Sequence, residues 1–313
     1  MSSTPDPDTS PADAGPLNSR GPEDISLNGV NPEEWSSEGG SQERLNPGPH
    51  APDHNTPSST ARAFLELTKP EISFLVALSA AAGFLLGSGP AVDPALLVHT
   101  LLGTTVTAAG SGMLNHFLEH PLDGQMKRTS SRPLPAGQVR PETALASGLL
   151  LALGGAGYLY VFTNALAAAL AAATVGFYLL VYTPLKKVTK YNTLIGCLPG
   201  ALPPLGGWVA AAGSIEPRAW IMFGVLFAWQ MPHFLALAWM YRKDYGRAGF
   251  VMLPVVEPDG TSTAHQTIAF TGLTFGISLL PFFTNLTGWV YLIGAAGLGI
   301  YFIEPTIRFY HDR

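Results

Sequence analysis

From about residue 70 to the C-terminus the apolar residues fall in long blocks, and the polar ones collect in the gaps between them. Crossing the hydrocarbon core of a bilayer takes roughly 18 or more apolar residues in a helix. Blocks of that kind run near residues 72–90, 95–117, 143–162, 164–184, 193–213, 218–240, 266–284 and 287–306, which predicts eight membrane-spanning helices. Lipid offers backbone N–H and C=O groups no partner but each other, so spanning elements must be helices or a closed barrel. The blocks lack the apolar/polar alternation of barrel strands. The expected fold class is therefore all-α, a polytopic membrane helical bundle.

The first 60 or so residues have the opposite pattern. They are rich in Pro, Ser, Gly and Asn, hold ten Asp and Glu against only Arg20 and Arg44, and contain almost no apolar cluster that would offset the entropy of ordering. Residues 1–62 are expected to form a disordered, acidic cytoplasmic tail and residues 63–313 the membrane domain. The tail has neither the Arg-rich amphipathic character of an organelle presequence nor the apolar core of a secretory signal. Composition fits this division, with 47% hydrophobic and 12% charged residues in a chain of 313. The formal charge of -5 describes the tail, because the remainder keeps fifteen bases and twelve acids.

The bases set an expected orientation. Arg62 and Lys69 precede the first span; Lys127, Arg128, Arg132 and Arg140 follow the second; Lys186, Lys187 and Lys190 follow the fourth; Arg242, Lys243 and Arg247 follow the sixth. The alternate loops hold only Arg218, so the positive-inside rule puts both termini and the even-numbered loops in the cytoplasm. The one cysteine, Cys197, lies inside an apolar block and reads as a small core residue, which excludes a disulfide framework.

Candidate chemistry gathers where the second block ends. In NHFLEHPLDGQMKRT, residues 115–129, Asn115, Glu119 and Asp123 are four apart and share one face of a continuous helix. Pro121 lacks an N–H and clashes with the preceding turn, so the helix is expected to end or bend there and present Asp123 from a loop. Two carboxylates and an amide oxygen suit a hard cation such as magnesium. Arg128 and Arg132 offer planar forks to phosphate oxygens. Ordinary interfacial charges at a helix end account for the spacing equally well.

A second patch changes that balance. WMYRKDYGRAGFVMLP, residues 239–254, brings Asp244 and Lys243 to the same membrane side, and YTPLKKVTKYNT, residues 182–193, adds Lys186, Lys187 and Lys190. Acids on two helix ends with bases between them suit a magnesium-bound diphosphate. The fifth block, GCLPGALPPLGGWVAAAG, is either broken backbone walling a ligand chamber or a kinked packing helix. His233, at membrane depth in WQMPHFLALAW, either hydrogen-bonds beside Pro232 or meets a ligand.

In order along the chain, Asn115-x3-Glu119-x3-Asp123-x2-Met126-x-Arg128-Thr129-x2-Arg132-Pro133, YTPLKK, GALPPLGGW, PHFLALAW and DYGRAGFVMLP resemble the protohaem IX farnesyltransferases. These are the haem O synthases of the intramembrane aromatic (UbiA-type) prenyltransferase superfamily. The resemblance runs from LTKPEI at 67 to about 256, with later blocks agreeing only in hydropathy. It implies a bundle around a central cavity in a bacterial cell (inner) membrane, with the active site toward the cytoplasm. The implied reaction moves farnesyl from farnesyl diphosphate to a vinyl group of haem b, giving haem O and diphosphate.

The resemblance also implies roles for residues. Asn115, Glu119, Asp123 and Asp244 would be the catalytic set and hold Mg2+, Arg128, Arg132, Lys186, Lys187 and Lys243 would bind diphosphate, and His233 would meet haem iron or a propionate. The lipid bilayer and a haem-pathway membrane partner are the implied surroundings, without nucleic acid. Glu119 stands where the family commonly has Asp, Pro121 stands at an often polar position, and the family's typical nine helices exceed the eight visible here. Two other readings stay open, prenylation of another aromatic acceptor such as 4-hydroxybenzoate and membrane transport. A transporter should carry ionisable residues near the bilayer midplane, where each costs at least ~2.5 kcal/mol, yet Glu119, Asp123 and Asp244 cluster at one edge.

Overall fold

A computed structural model describes residues 57–312, and every regular element in them is a helix. A short α1 (Pro57–Leu67) precedes α2 (Pro70–Gly87), α3 (Pro94–Asp123) and α4 (Pro141–Phe162). Next comes one continuous run, α5 (Ala165–Gly176), a π-helical stretch (Phe177–Tyr182) and α6 (Thr183–Leu185). It is followed by α7 (Asn192–Ala212), α8 (Ala219–Met240), the short α9 (Arg242–Arg247) and α10 (Leu253–Val256), then α11 (Thr261–Phe283) and α12 (Trp289–Asp312). The eight expected spans are all present as helices. Seven are long and apolar enough to cross a membrane. The other, α3, is the longest at 30 residues, and its polar residues Thr100, Thr107, Asn115, His116, Glu119 and Asp123 are buried in the bundle. The expected tail over residues 1–62 lies outside the described residues as far as Thr56, and Pro57 to Arg62 form the start of α1.

Local signals start the helices. Pro70, Pro94 and Pro141 open α2, α3 and α4, where a missing N–H costs no helical bond. Asp93 caps α3 by accepting from Ala95 N at 2.9 Å and Leu96 N at 3.1 Å. One expectation about proline is corrected. The helix α3 continues through Pro121 to Asp123. Pro121 cannot donate to Phe117 O one turn back, and His120 Nδ1 donates to that carbonyl instead, at 2.7 Å. Of the two readings of the fifth block the helical one holds, since α7 runs unbroken through Pro199, Pro203 and Pro204.

Between helices in lipid, close backbone packing replaces the hydrophobic drive. A Cβ on Gly83 would lie 1.9 Å from Pro204 O, and one on Gly207 would lie 1.9 Å from Ala80 O, so α2 and α7 touch backbone to backbone. Gly110 of α3 has the same relation to Ala152 N of α4, at 2.3 Å. Large apolar side chains such as Leu150, Leu180 and Val290 point outward, the last 89% exposed, as a lipid-facing surface requires. Inside, α2, α3, α5, the π stretch, α7 and α8, with Leu159 of α4, line a cavity of about 730 Å³. The intact α7 is one of its walls, contributing Gly196, Pro199, Gly200, Pro203 and Gly206.

Candidate active site

The last turns of α3 carry Asn115, Glu119 and Asp123 at 2%, 7% and 1% exposure. Because α3 does not break at Pro121, all three stay on one helix face. A buried carboxylate keeps its charge only beside a cation, and each acid has one. Arg132 Nη1 donates to both Asp123 oxygens at 2.8 Å. Thr129, fully buried, closes the turn between them by donating to Asp123 O at 2.8 Å. Lys186 Nζ donates to Glu119 Oε1.

The π stretch delivers Lys186. Its widened ladder lets Thr183 Oγ1 donate five residues back to Tyr178 O at 2.9 Å. Tyr178 and Tyr182 then line the cavity, and Lys186 follows one turn later with Nζ 4.7 Å above the Tyr182 ring. A third cation comes from the far side. Lys69 precedes Pro70, whose ring disfavours the right-handed region for it, and adopts φ 48. Its Nζ donates to Asn115 Oδ1 at 2.6 Å. Burial lowers the Lys69 ammonium to about 8; Glu119 opposes this, and Arg132 and Lys186 add to it. For Lys186 burial also acts downward, but Tyr182, Glu119 and Tyr178 outweigh it and hold the ammonium above the usual lysine range.

The segments of both acidic patches meet. Met126, from the loop after α3, packs with Ala238, Ala248, Phe250 and Met252. Arg128 lies 4.4 Å above the Tyr241 ring and donates to Tyr245 Oη at 3.3 Å. Asp244 in α9 pairs with Arg247 at 2.8 Å, and Lys187 and Lys243 are exposed. His233 opens onto the cavity, stacked on Trp229 at 5.2 Å and 11°.

Among the described residues no three of His, Cys, Asp and Glu form a ready metal cluster. The donor chemistry of the α3 face nevertheless fits a hard divalent cation, since Asn115, Glu119 and Asp123 all offer oxygen. Among the described residues buried His116 Nδ1 makes no hydrogen bond and lies 4.0 Å from Asp123 Oδ2, so the cluster keeps polar capacity on the α3 face. Sequence reasoning took Lys69 only as an orientation marker and passed over Tyr178, Tyr182 and Thr129. The available signals were a cation abutting the first apolar block in LTKPEI and the spacing of four from Tyr178 to Tyr182 to Lys186.

Residues 76–313 match the UbiA prenyltransferase family. Over 250 residues the chain is 54% identical to a protoheme IX farnesyltransferase of Salinibacter ruber, covering 80% of this chain and 88% of that protein. The apo structure of a UbiA homolog from Aeropyrum pernix K1 shares its fold, with TM-score 0.66 at 18% identity over 78% of this chain and 90% of that one. So does a UbiA homolog from Archaeoglobus fulgidus bound to DMAPP and Mg2+, with TM-score 0.58 at 17% identity over 80% of this chain and 86% of that one. By sequence and by fold, this chain belongs to the UbiA prenyltransferase family.

Proposed function

We propose that this chain transfers farnesyl from farnesyl diphosphate to a vinyl group of haem b, forming haem O and releasing diphosphate. The observation that carries this reading is the likeness, over most of both chains, to the Salinibacter ruber protoheme IX farnesyltransferase. The site is suited to the task, with a buried charge cluster beside a large apolar cavity that Lys69, Tyr178 and Tyr182 border.

The farnesyl tail would occupy the cavity, among residues such as Leu159, Leu170 and Leu202. Its diphosphate would meet Lys69, Arg132 and Lys186, with Arg128, Lys187 and Lys243 on the outer side. The bond from carbon 1 to the diphosphate oxygen breaks, and negative charge grows on the leaving group. Preplaced cations stabilise that charge, by ~2.7 to 4 kcal/mol per donor in comparable oxyanion sites. Mg2+ held by Asn115, Glu119, Asp123 and Asp244 would neutralise further diphosphate charge, as the ion in the Archaeoglobus fulgidus relative accompanies DMAPP.

The apolar walls keep water from the allylic cation, and Tyr178 and Tyr182 present ring faces beside it. The vinyl carbon forms the new bond to carbon 1. Water then adds to the resulting cation and loses a proton, giving the hydroxyl of haem O. His233, stacked on Trp229 in the cavity wall, would meet haem iron or a propionate. The Lys and Arg distribution supports a cytoplasmic N-terminus and a charge cluster on that face of the cell inner membrane.

Mass spectrometry of products from haem b, farnesyl diphosphate and magnesium, with a chelated control, tests the proposal. A magnesium-dependent haem O mass is expected. Consumption of farnesyl diphosphate only with a phenolic acid would move the function to another aromatic acceptor.

A further inference from the structure

Lys186 sits on a loop, yet it must hold one position against Glu119. The loop from 186 to 191 and Asn192, the first residue of α7, grip the backbone of Val251 from both sides. Val251 N donates to Lys186 O at 2.8 Å, and Val251 O accepts from Asn192 Nδ2 at 2.7 Å. The same Asn192 amide donates to Thr189 O at 2.6 Å, and Thr193 Oγ1 donates to its Oδ1 at 3.3 Å. Asn192 is fully buried, so each of these groups depends on the others for satisfaction. On the outside, Lys190 and Glu257 join the same two segments at 2.6 Å. Phe250, next to Val251, is buried and places its ring 6.0 Å from Lys186 Nζ, with the Tyr182 ring at 4.7 Å.

We propose that Asn192 is a positioning residue for the diphosphate site. By fastening Val251 to the loop it fixes Lys186 relative to Glu119, Tyr182 and Phe250, and so sets where the ammonium meets the leaving group. The proposal rests on the reading that Lys186 contacts diphosphate. An amide is the side chain this task needs. It supplies two N–H donors to two carbonyls, whereas Asp, of the same size, would turn lone pairs toward both. A lysine stem is flexible, and a displacement of about 1 Å at a reacting group costs up to roughly a hundredfold in rate.

The test is a double-mutant cycle on the full chain in detergent, measuring haem O formation by wild type, Asn192→Asp, Lys186→Met and the double variant. The expected result is a rise of about tenfold in KM for farnesyl diphosphate in Asn192→Asp, with KM for haem b within about twofold of wild type. In the Lys186→Met background the same change should add nothing. Additive effects, or equal rises in both KM values, would overturn the proposal and leave Asn192 a part of the fold alone.

Should Asn192→Asp fail to fold, Glu257→Gln loosens the outer fastening, together with the Glu257–Ser262 hydrogen bond, and leaves Asn192 in place. It should raise KM for farnesyl diphosphate roughly twofold to threefold, again only when Lys186 is present, and no rise would overturn the proposal. A wild type that forms no haem O rejects the proposed reaction instead. The same cycle is then read from calorimetric binding of inorganic diphosphate with magnesium, where Asn192→Asp must weaken binding through Lys186 or the positioning role is lost.

Discussion

Asp123 is 1% exposed, and Arg132 Nη1 donates to both of its oxygens at 2.8 Å. Removing one partner of a buried pair strands the other, which costs about 3 to 5 kcal/mol. Arg132→Met should therefore lower the melting temperature in detergent, and Asp123→Asn in that background should recover much of the loss without restoring turnover. Asp244 differs, because it pairs with Arg247 near the surface, one turn away. Asp244→Asn should fold normally and still lose about a hundredfold or more in rate if it serves the diphosphate. Normal turnover of that variant would remove Asp244 from the catalytic set, while Glu119→Asp should retain much activity.

Lys69 supplies the pH dependence. Burial lowers its ammonium from the ordinary 10.5 to about 8, so it is a cation below that pH and neutral above it. The kcat/KM for farnesyl diphosphate should fall above about pH 8, and Lys69→Arg should move that limb out of range. The contribution of Lys69 to stability runs the other way. Between about 8 and 10.5 the unfolded chain binds the proton more tightly, so stability rises with pH there. A pH profile unchanged in Lys69→Arg would assign the limb to another group. The spacing of the three α3 residues was legible in the sequence, and their partners were not. Lys69 and Lys186 reach α3 from 46 and 67 residues away, a pairing that no local pattern encodes.

Among the elements, the apolar blocks revealed eight helices, seven of them long and apolar enough to cross a membrane, because in lipid length and hydropathy govern helix formation. They did not reveal α1, whose Ala63 and Leu67 are buried through contacts with Met113, Leu134 and Val139. Burial of so short a helix comes from tertiary contacts rather than hydropathy. Proline misled at the end of α3, where the freed carbonyl finds another donor and the helix continues. At Pro121 that donor is His120. His120→Ala should fray the end of α3, seen as faster hydrogen exchange around residues 120–124.

Glycines at the α2–α7 contact give a sharper element-scale test. Gly83→Ala and Gly207→Ala each drive a Cβ to 1.9 Å from a backbone oxygen, an overpacking that costs about 1 to 3 kcal/mol. Gly154, whose added Cβ would meet nothing within 4 Å, is the control. Gly154→Ala should melt at or slightly above the wild-type temperature. Equal destabilisation at all three positions would mean that helix propensity, not backbone contact, sets the response.

For the whole molecule, the sequence showed acids and bases at one membrane edge but not the volume behind them, which depends on how seven segments lean together. That volume gives α7 the geometry of a ruler. Gly196 lies near the charged end, where an added Cβ would be 2.4 Å from the Tyr182 ring. Gly206 lines the same cavity ten residues further along the helix, about 15 Å deeper at 1.5 Å per residue. An added Cβ at Gly206 would meet nothing within 4 Å, so a larger side chain there projects into open space without disturbing packing. Gly206→Leu should thus leave the melting temperature within about 1 kcal/mol equivalent while shortening the cavity from its far end. If the isoprenoid lies along α7 with its diphosphate at Lys186, this variant should lose kcat/KM with farnesyl diphosphate and keep it with the shorter geranyl diphosphate. Removal of one or two buried methylene contacts shifts such preferences by roughly 10- to 200-fold. Equal losses with both donors would place the tail along another wall, and no loss with either would put it outside this cavity.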